Sequence, residues 1–81
     1  MEEKVLEILR ELFEDDTINT SCSQKNCDKW DSMNQLNLVL ELEDAFDISL
    51  EPEEIGIMVD FDSIVKLVKE KVNNMPLNWN R

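Results

Sequence analysis

One serine, Ser32, stands at the start of a predicted amphipathic helix, between Asp31 and Met33. The free backbone N–H groups at a helix start, together with the helix dipole, favour a negatively charged group at that end. A serine hydroxyl in this position is therefore suited to carry a phosphodiester. The alternative is that Ser32 only caps the helix, which is an ordinary role of serine. The local sequence leaves both interpretations open.

A second motif of the same form, Asp62-Ser63-Ile64, also opens a predicted amphipathic helix. We expect either Asp60 or Asp62 to cap this helix. Local chemistry does not separate the two serines. A long polar loop precedes Ser32 and the predicted central helix follows it, so we take Ser32 as the functional serine and Ser63 as a first-turn helix residue.

Other reactive side chains are few. The chain has no histidine, which is the commonest general base and metal ligand, so catalysis by a Ser-His or Cys-His pair within the chain is excluded. Cys22 and Cys27 are separated by four residues and have no further Cys or His partners, which is too few ligands for a zinc site. We expect two free thiols, with a local disulfide as the alternative, and no metal site.

The charge of the chain restricts its partners. Asp and Glu outnumber Lys and Arg by 19 to 8, giving a net charge of −11. Such a chain is repelled by nucleic-acid phosphates and by anionic lipids and attracts proteins with basic patches. The sequence has no signal-peptide pattern and no apolar run of membrane-spanning length. We therefore expect a cytoplasmic protein that neither binds nucleic acid nor inserts into a membrane.

The apolar periodicity predicts one all-α domain over residues 1–81, a bundle of three long helices and one short helix. Of the residues, 42% are hydrophobic, and one glycine and two prolines leave little turn chemistry for hairpins. The helices are expected at about residues 2–13, 32–46, 53–58 and 61–73. A loop is predicted over 14–31, with Ile18 and Trp30 as its apolar anchors, and a short tail over 74–81.

The second predicted helix is apolar over more than half of its circumference, so we expect it to be central and to touch neighbours on two sides. Its apolar residues are Met33, Leu36, Leu38, Val39, Leu40, Leu42, Ala45 and Phe46. Its polar strip is narrow and consists of Asn34, Asn37, Glu41 and Asp44. Glu43 is expected to reach solvent at the helix end. In the short helix we expect Ile55, Met58 and Val59 to pack inward.

Together these features resemble the acyl carrier protein family over residues 3–72. The features are an acidic first helix, a long loop, Asp31-Ser32-Met33, a helix rich in Leu and Glu that ends in Asp44-Ala45-Phe46, a Pro-Glu-Glu short helix, and a last helix that begins Phe61-Asp62-Ser63-Ile64. The three-residue motif alone is weak. Its combination with the Leu-rich and Glu-rich helix at this offset is specific.

The resemblance implies that Ser32 carries a 4′-phosphopantetheine arm, which a separate phosphopantetheinyl transferase attaches from coenzyme A with magnesium. It implies that Asp31 is the adjacent cap and a transferase contact. The thiol of the arm would carry acyl or aminoacyl groups as thioesters between enzymes. The resemblance further implies a non-catalytic monomer whose docking surface for basic partners comprises Met33, Asn34, Asn37, Glu41 and Asp44.

The sequence departs from the family pattern at three places. Met33 replaces a leucine, Lys29-Trp30 stands where a glycine-containing dipeptide is common, and Asn34 and Asn37 stand where acidic residues are typical. These departures favour a carrier of a specialised pathway, or a peptidyl or aminoacyl carrier. The alternative from a different class is an acidic helical adaptor that binds a basic partner and takes no prosthetic group.

Overall fold

The computed structural model describes residues 2–73, which fold into four helices. They are α1 (Glu2–Phe13), α2 (Ser32–Phe46), α3 (Pro52–Gly56) and α4 (Phe61–Asn73). The predicted all-α bundle of three long helices and one short helix is confirmed, and the bounds of the three long helices agree with the prediction. The predicted tail over 74–81 lies outside the described residues.

The hydrophobic core lies where α1, α2 and α4 pack against one another. Its completely buried aliphatic residues are Val5, Leu9, Leu38, Leu42, Ile64 and Val68. Burying one such side chain contributes about 1.5–3 kcal/mol. Phe13 at the end of α1 is also buried, whereas Leu12, which periodicity predicts to be buried, is only half-buried. Phe13 is drawn inward because its ring packs on Trp30, with ring centroids 5.7 Å apart.

The loop between α1 and α2 is held on the bundle by the buried side chains of Ile18, Cys22 and Trp30. Ile18 and Trp30 are the two anchors that the sequence predicts. The Arg10 Nε–H also donates a hydrogen bond to the Ile18 carbonyl at 2.8 Å. On the other side of the bundle, the Phe61 N–H donates to the Cys22 carbonyl at 2.9 Å. The loop is therefore fixed at several points before it reaches α2.

The short helix differs from its predicted bounds, because α3 begins at Pro52 and ends at Gly56 instead of covering 53–58. Proline suits the first helical position, where its missing N–H is not needed. The Glu51 N–H donates to Glu54 Oε1 at 2.8 Å, which fixes the start of the helix. At the other end, the Ile57 N–H donates to the Glu54 carbonyl only three residues back, so the last turn tightens and the helix stops.

After α3, Met58 is completely buried, as the sequence predicts, and Ile55 is partly buried. Val59 does not pack inward and is 43% exposed. Its backbone explains this difference, because the Val59 carbonyl accepts a hydrogen bond from the Gln24 N–H at 2.9 Å. The segment runs alongside the loop there and leaves the Val59 side chain in solvent.

Because α3 contributes no fully buried side chain, polar contacts add to the packing of the partly buried Ile55 in holding it on the bundle. Lys71 Nζ of α4 lies 2.7 Å from Glu54 Oε1. The hydrogen bond from Lys71, and after it the one from the Glu51 N–H, lowers the pKa of Glu54 below its ordinary value.

As predicted, α2 contacts two neighbours, α1 and α4, but three of its apolar residues are not covered. Met33, Leu36 and Leu40 are 67%, 58% and 64% exposed. A helix turns by roughly 100° per residue, so these three share the side of α2 opposite to Leu38, and no other helix covers that side. We call Met33, Leu36 and Leu40 the exposed apolar stripe.

Glu43 is half-buried and does not project into solvent as expected. Its carboxylate accepts a hydrogen bond from the Leu50 N–H at 2.8 Å. The backbone turns sharply at Asp47, whose φ of 54° is left-handed, and this turn brings Leu50 back towards the helix end.

Within the described residues, no helix is both long enough and apolar enough to cross a membrane. The cytoplasmic location and the monomeric state stay predictions.

Candidate functional site

The start of α2 is capped by Asp31 and not by Ser32. Asp31 has extended backbone angles, with φ −100° and ψ −175°, and its Oδ1 accepts a hydrogen bond from the Asn34 N–H at 2.9 Å. The Asp31 carbonyl accepts from the Gln35 N–H at 2.8 Å. Asp31 therefore supplies both acceptors expected of a cap residue, its side-chain oxygen and its backbone carbonyl. The helix start does not require the Ser32 hydroxyl.

Ser32 is the first residue of α2, and it is exposed. Among the described residues, no hydrogen bond is found to its Oγ. The hydroxyl thus stands at the positive end of the α2 dipole, accessible and without a structural role.

Ser63, in the second motif of the same form, has the opposite environment. Its Oγ accepts hydrogen bonds from the N–H groups of Val59 and Asp60, each at 3.1 Å, and donates to the Asp60 carbonyl at 2.9 Å. The Ser63 N–H in turn donates to Asp60 Oδ1 at 2.8 Å. Asp60 is therefore the cap of α4, as one of the two predicted candidates, and the Ser63 hydroxyl is fully engaged in the helix start.

A polar cluster centred on Gln35, which was not predicted from the sequence, lies close to Ser32 and connects α2 to its neighbours. The Trp30 Nε1–H donates to Gln35 Oε1, and Gln35 Nε2 donates to the carbonyls of Ile55 and Met58 at 2.9 and 3.2 Å. Gln35 thus ties the loop, α2 and the end of α3 together. The inward position of Gln35 could have been predicted from the sequence, because Gln35 lies three residues before Leu38 and therefore on the buried side of the helix.

A groove of about 400 Å³ adjoins the serine. It is lined by Gln24, Trp30, Asp31, Ser32, Gln35 and Leu36. The groove gives space beside the hydroxyl at the surface of the protein, so Ser32 can be approached by another molecule.

The predicted docking residues fall into two kinds of environment. Met33, Glu41 and Asp44 are exposed. Asn34 and Asn37 are half-buried and form a short chain of amide hydrogen bonds. In this chain, Asn37 Nδ2–H donates to Asn34 Oδ1 at 3.2 Å, and Asn34 Nδ2–H donates to the Lys29 carbonyl at 2.7 Å. Leu36 and Leu40, which were predicted to be buried, extend the exposed surface beyond Met33. The docking role of all five residues stays a prediction.

Within residues 2–73 no group of three or more His, Cys, Asp or Glu side chains is arranged to hold a metal ion.

Solved structures of acyl carrier proteins share this all-helical bundle and match the chain over most of its length. A holo acyl carrier protein from Geobacter metallireducens, determined by NMR, matches with a TM-score of 0.80 and 27% identity over 89% of this chain and 85% of its own. The acyl carrier protein of Thermotoga maritima matches with a TM-score of 0.75 and 26% identity over 91% of this chain and 88% of its own. The resemblance seen in the sequence is therefore confirmed in the fold. No protein-family model matches the chain, and no curated protein matches it significantly.

Proposed function

We propose that this protein is an acyl carrier protein that carries acyl groups as thioesters on a 4′-phosphopantetheine arm attached to Ser32. The observation that carries the proposal is the state of the Ser32 hydroxyl, which is exposed and without a hydrogen-bond partner among the described residues. It occurs in a chain that shares the fold of a holo acyl carrier protein. On this proposal the chain is a carrier and not an enzyme.

The residues around Ser32 fit such an arm. Asp31 supplies the cap, so a substituent on Ser32 Oγ removes no helix contact. The N-terminal end of α2 carries the positive end of the helix dipole, which stabilises a phosphodiester. When bound, the arm supplies the thiol that forms the thioester. The chain itself has no histidine to activate Ser32, so the attachment requires the base and the metal ion of a separate transferase.

Exposed groups on α2 suit the docking of partner enzymes. The exposed apolar stripe begins one residue after Ser32 and is bordered by Glu41 and Asp44. No charged residue occurs between Ser32 and Leu40. A partner would therefore meet an apolar surface close to the arm and a negative charge further along α2. Apolar contact contributes affinity, whereas charges at the rim of an interface set the encounter rate.

The proposal is tested by incubating the protein with coenzyme A, magnesium and a broad-specificity phosphopantetheinyl transferase, followed by intact-mass and peptide analysis. The expected result is a mass increase of one arm, located in the peptide that contains Ser32. No increase under conditions that load a control carrier would favour an acidic adaptor without prosthetic group. The mass of material isolated from cells would tell an acyl from an aminoacyl cargo.

The docking surface makes a separate prediction. The double variant Glu41→Lys, Asp44→Lys should slow loading by roughly 10-fold at low salt, because steering by rim charges is electrostatic, and the difference should shrink as salt screens it. Leu36→Ser should slow loading by a factor that salt leaves nearly unchanged. Initial loading rates at several salt concentrations distinguish the two effects. Glu2→Lys, Glu3→Lys on α1 is the matched control for net charge, and equal rates in all proteins would refute docking through α2.

A further inference from the structure

We propose that Cys22 and Cys27 are a redox-active pair that closes to a disulfide and thereby stiffens the loop leading to Ser32. The proposal does not depend on the function proposed above. It concerns a second chemical site of the chain, in which a hydrogen-bonded turn places two cysteines at the same cavity.

The turn is built around Asn26. Its Nδ2–H donates to the Ser21 carbonyl at 2.8 Å, and its Oδ1 accepts from the Ser23 N–H at 2.9 Å. The residues on both sides of Cys22 are thus bound to the residue directly before Cys27. The Cys27 N–H also donates to the Ser23 carbonyl at 3.1 Å. Both cysteines consequently line the same cavity, which has a volume of about 270 Å³.

The two thiols, which are free in the structure, differ in access. Cys22 is only 6% exposed, whereas Cys27 is partly exposed. Burial and, after it, the charge of Cys27 raise the pKa of Cys22 to about 12. The shared cavity and the turn around Asn26 place the two cysteines close together. Because a buried, protonated thiol reacts slowly with external reagents, the reaction must begin at Cys27.

The chemistry balances with a small-molecule disulfide as the oxidant. The Cys27 thiolate attacks one sulfur of the oxidant, forming a mixed disulfide and releasing one equivalent of the small thiol. Cys22 then loses its proton to solvent and attacks the Cys27 sulfur, which forms the Cys22–Cys27 bond and releases the second equivalent. The protein loses two hydrogen atoms and the oxidant is reduced to two thiols. Once Cys27 is in the mixed disulfide, its negative charge no longer opposes ionisation of Cys22.

A disulfide between Cys22 and Cys27 would stiffen the loop because of where the two cysteines are attached. The Cys22 carbonyl accepts from the Phe61 N–H at 2.9 Å, and the Cys27 carbonyl accepts from the Trp30 N–H at 3.0 Å. One cysteine is therefore bound to the start of α4 and the other to the residue that precedes Asp31. A disulfide between them links these two attachments covalently and restricts the loop in the unfolded chain as well.

The test is equilibration of the purified protein in a series of glutathione redox buffers, followed by acid quenching, alkylation under denaturing conditions and intact-mass measurement. We expect a monomeric species that is two hydrogen atoms lighter and takes up no alkyl group. Its thermal midpoint should be higher than that of the reduced protein. Cys22→Ser should stop at a mixed disulfide of one glutathione on Cys27, and Cys27→Ser should stay reduced because Cys22 is buried.

Two outcomes would overturn the proposal. One is that both thiols remain alkylatable across the whole buffer series, or that oxidation yields only disulfide-linked dimers. The other is an oxidised monomer whose thermal midpoint and loop amide exchange equal those of the reduced protein, which would remove the stiffening. Circular dichroism of the two serine variants checks that they fold, and in a folded variant a missing adduct reflects the chemistry of the thiols.

Discussion

Ser32→Ala should take up no arm from coenzyme A under conditions in which the unaltered protein is loaded completely. The substitution removes the only atom to which the arm would be attached, and it removes no hydrogen bond found among the described residues. The thermal midpoint should therefore stay close to that of the unaltered protein, since Asp31 still caps α2. Intact mass measures the loading and a thermal melt measures the stability.

Ser63→Ala is the matched control, because it alters the serine of the second motif. This variant should be loaded to the same extent as the unaltered protein. It should lose about 1 kcal/mol of the free energy of unfolding, which is typical for the loss of a side-chain hydrogen bond, because the hydroxyl of Ser63 bonds three backbone groups. Loading of Ser32→Ala, or its absence in Ser63→Ala while that protein is folded, would contradict the assignment.

Trp30→Ala should lower the free energy of unfolding by about 3–5 kcal/mol, the usual cost of deleting a buried aromatic side chain. Trp30 is 5% exposed, packs on Phe13, and donates its indole N–H to Gln35. The total stability of a small domain is about 5–15 kcal/mol, so this loss would be a large fraction of it. Chemical denaturation followed by circular dichroism measures the loss.

Trp30→Phe separates the two contributions of this residue. It keeps an aromatic ring against Phe13 but removes the hydrogen bond to Gln35 Oε1, so the loss should be smaller and should include about 1–3 kcal/mol for the unsatisfied acceptor. Equal stabilities of Trp30→Ala and the unaltered protein would mean that the loop is not anchored through this side chain.

The long helices could be predicted because their periodicity and their cap residues agree. Stripes such as Val5, Ile8 and Leu9 in α1 repeat at the helical period, and Asp31 stands where a cap is expected. Once the three long helices are known, few ways of packing them bury the apolar faces of all three. The resemblance to acyl carrier proteins selects the observed packing. Ser32 could be proposed as the functional serine for the same reason, because its position is defined by the start of α2, which the sequence predicts.

What the sequence could not predict depends on contacts between distant residues. Ser32 and Ser63 each lie between an aspartate and an apolar residue, and the hydrogen bonds that occupy the Ser63 hydroxyl, from Val59 and Asp60, could not be predicted from these neighbours. Leu36 and Leu40 are apolar, and apolar character alone does not say whether another helix covers them. The end of α3 could not be found from periodicity because Gln35, twenty residues away from Ile55, takes the carbonyls there.

The attachment of α3 has a mechanical consequence. The segment Pro52–Gly56 contributes no buried side chain, and what fastens it is the ion pair of Glu54 with Lys71 and the amide of Gln35 on neighbouring carbonyls. Water can replace each of these polar partners at little net cost. The short helix is therefore more easily loosened than the three long helices, while the buried side chains of Leu50 and Met58 on either side hold its two ends to the core.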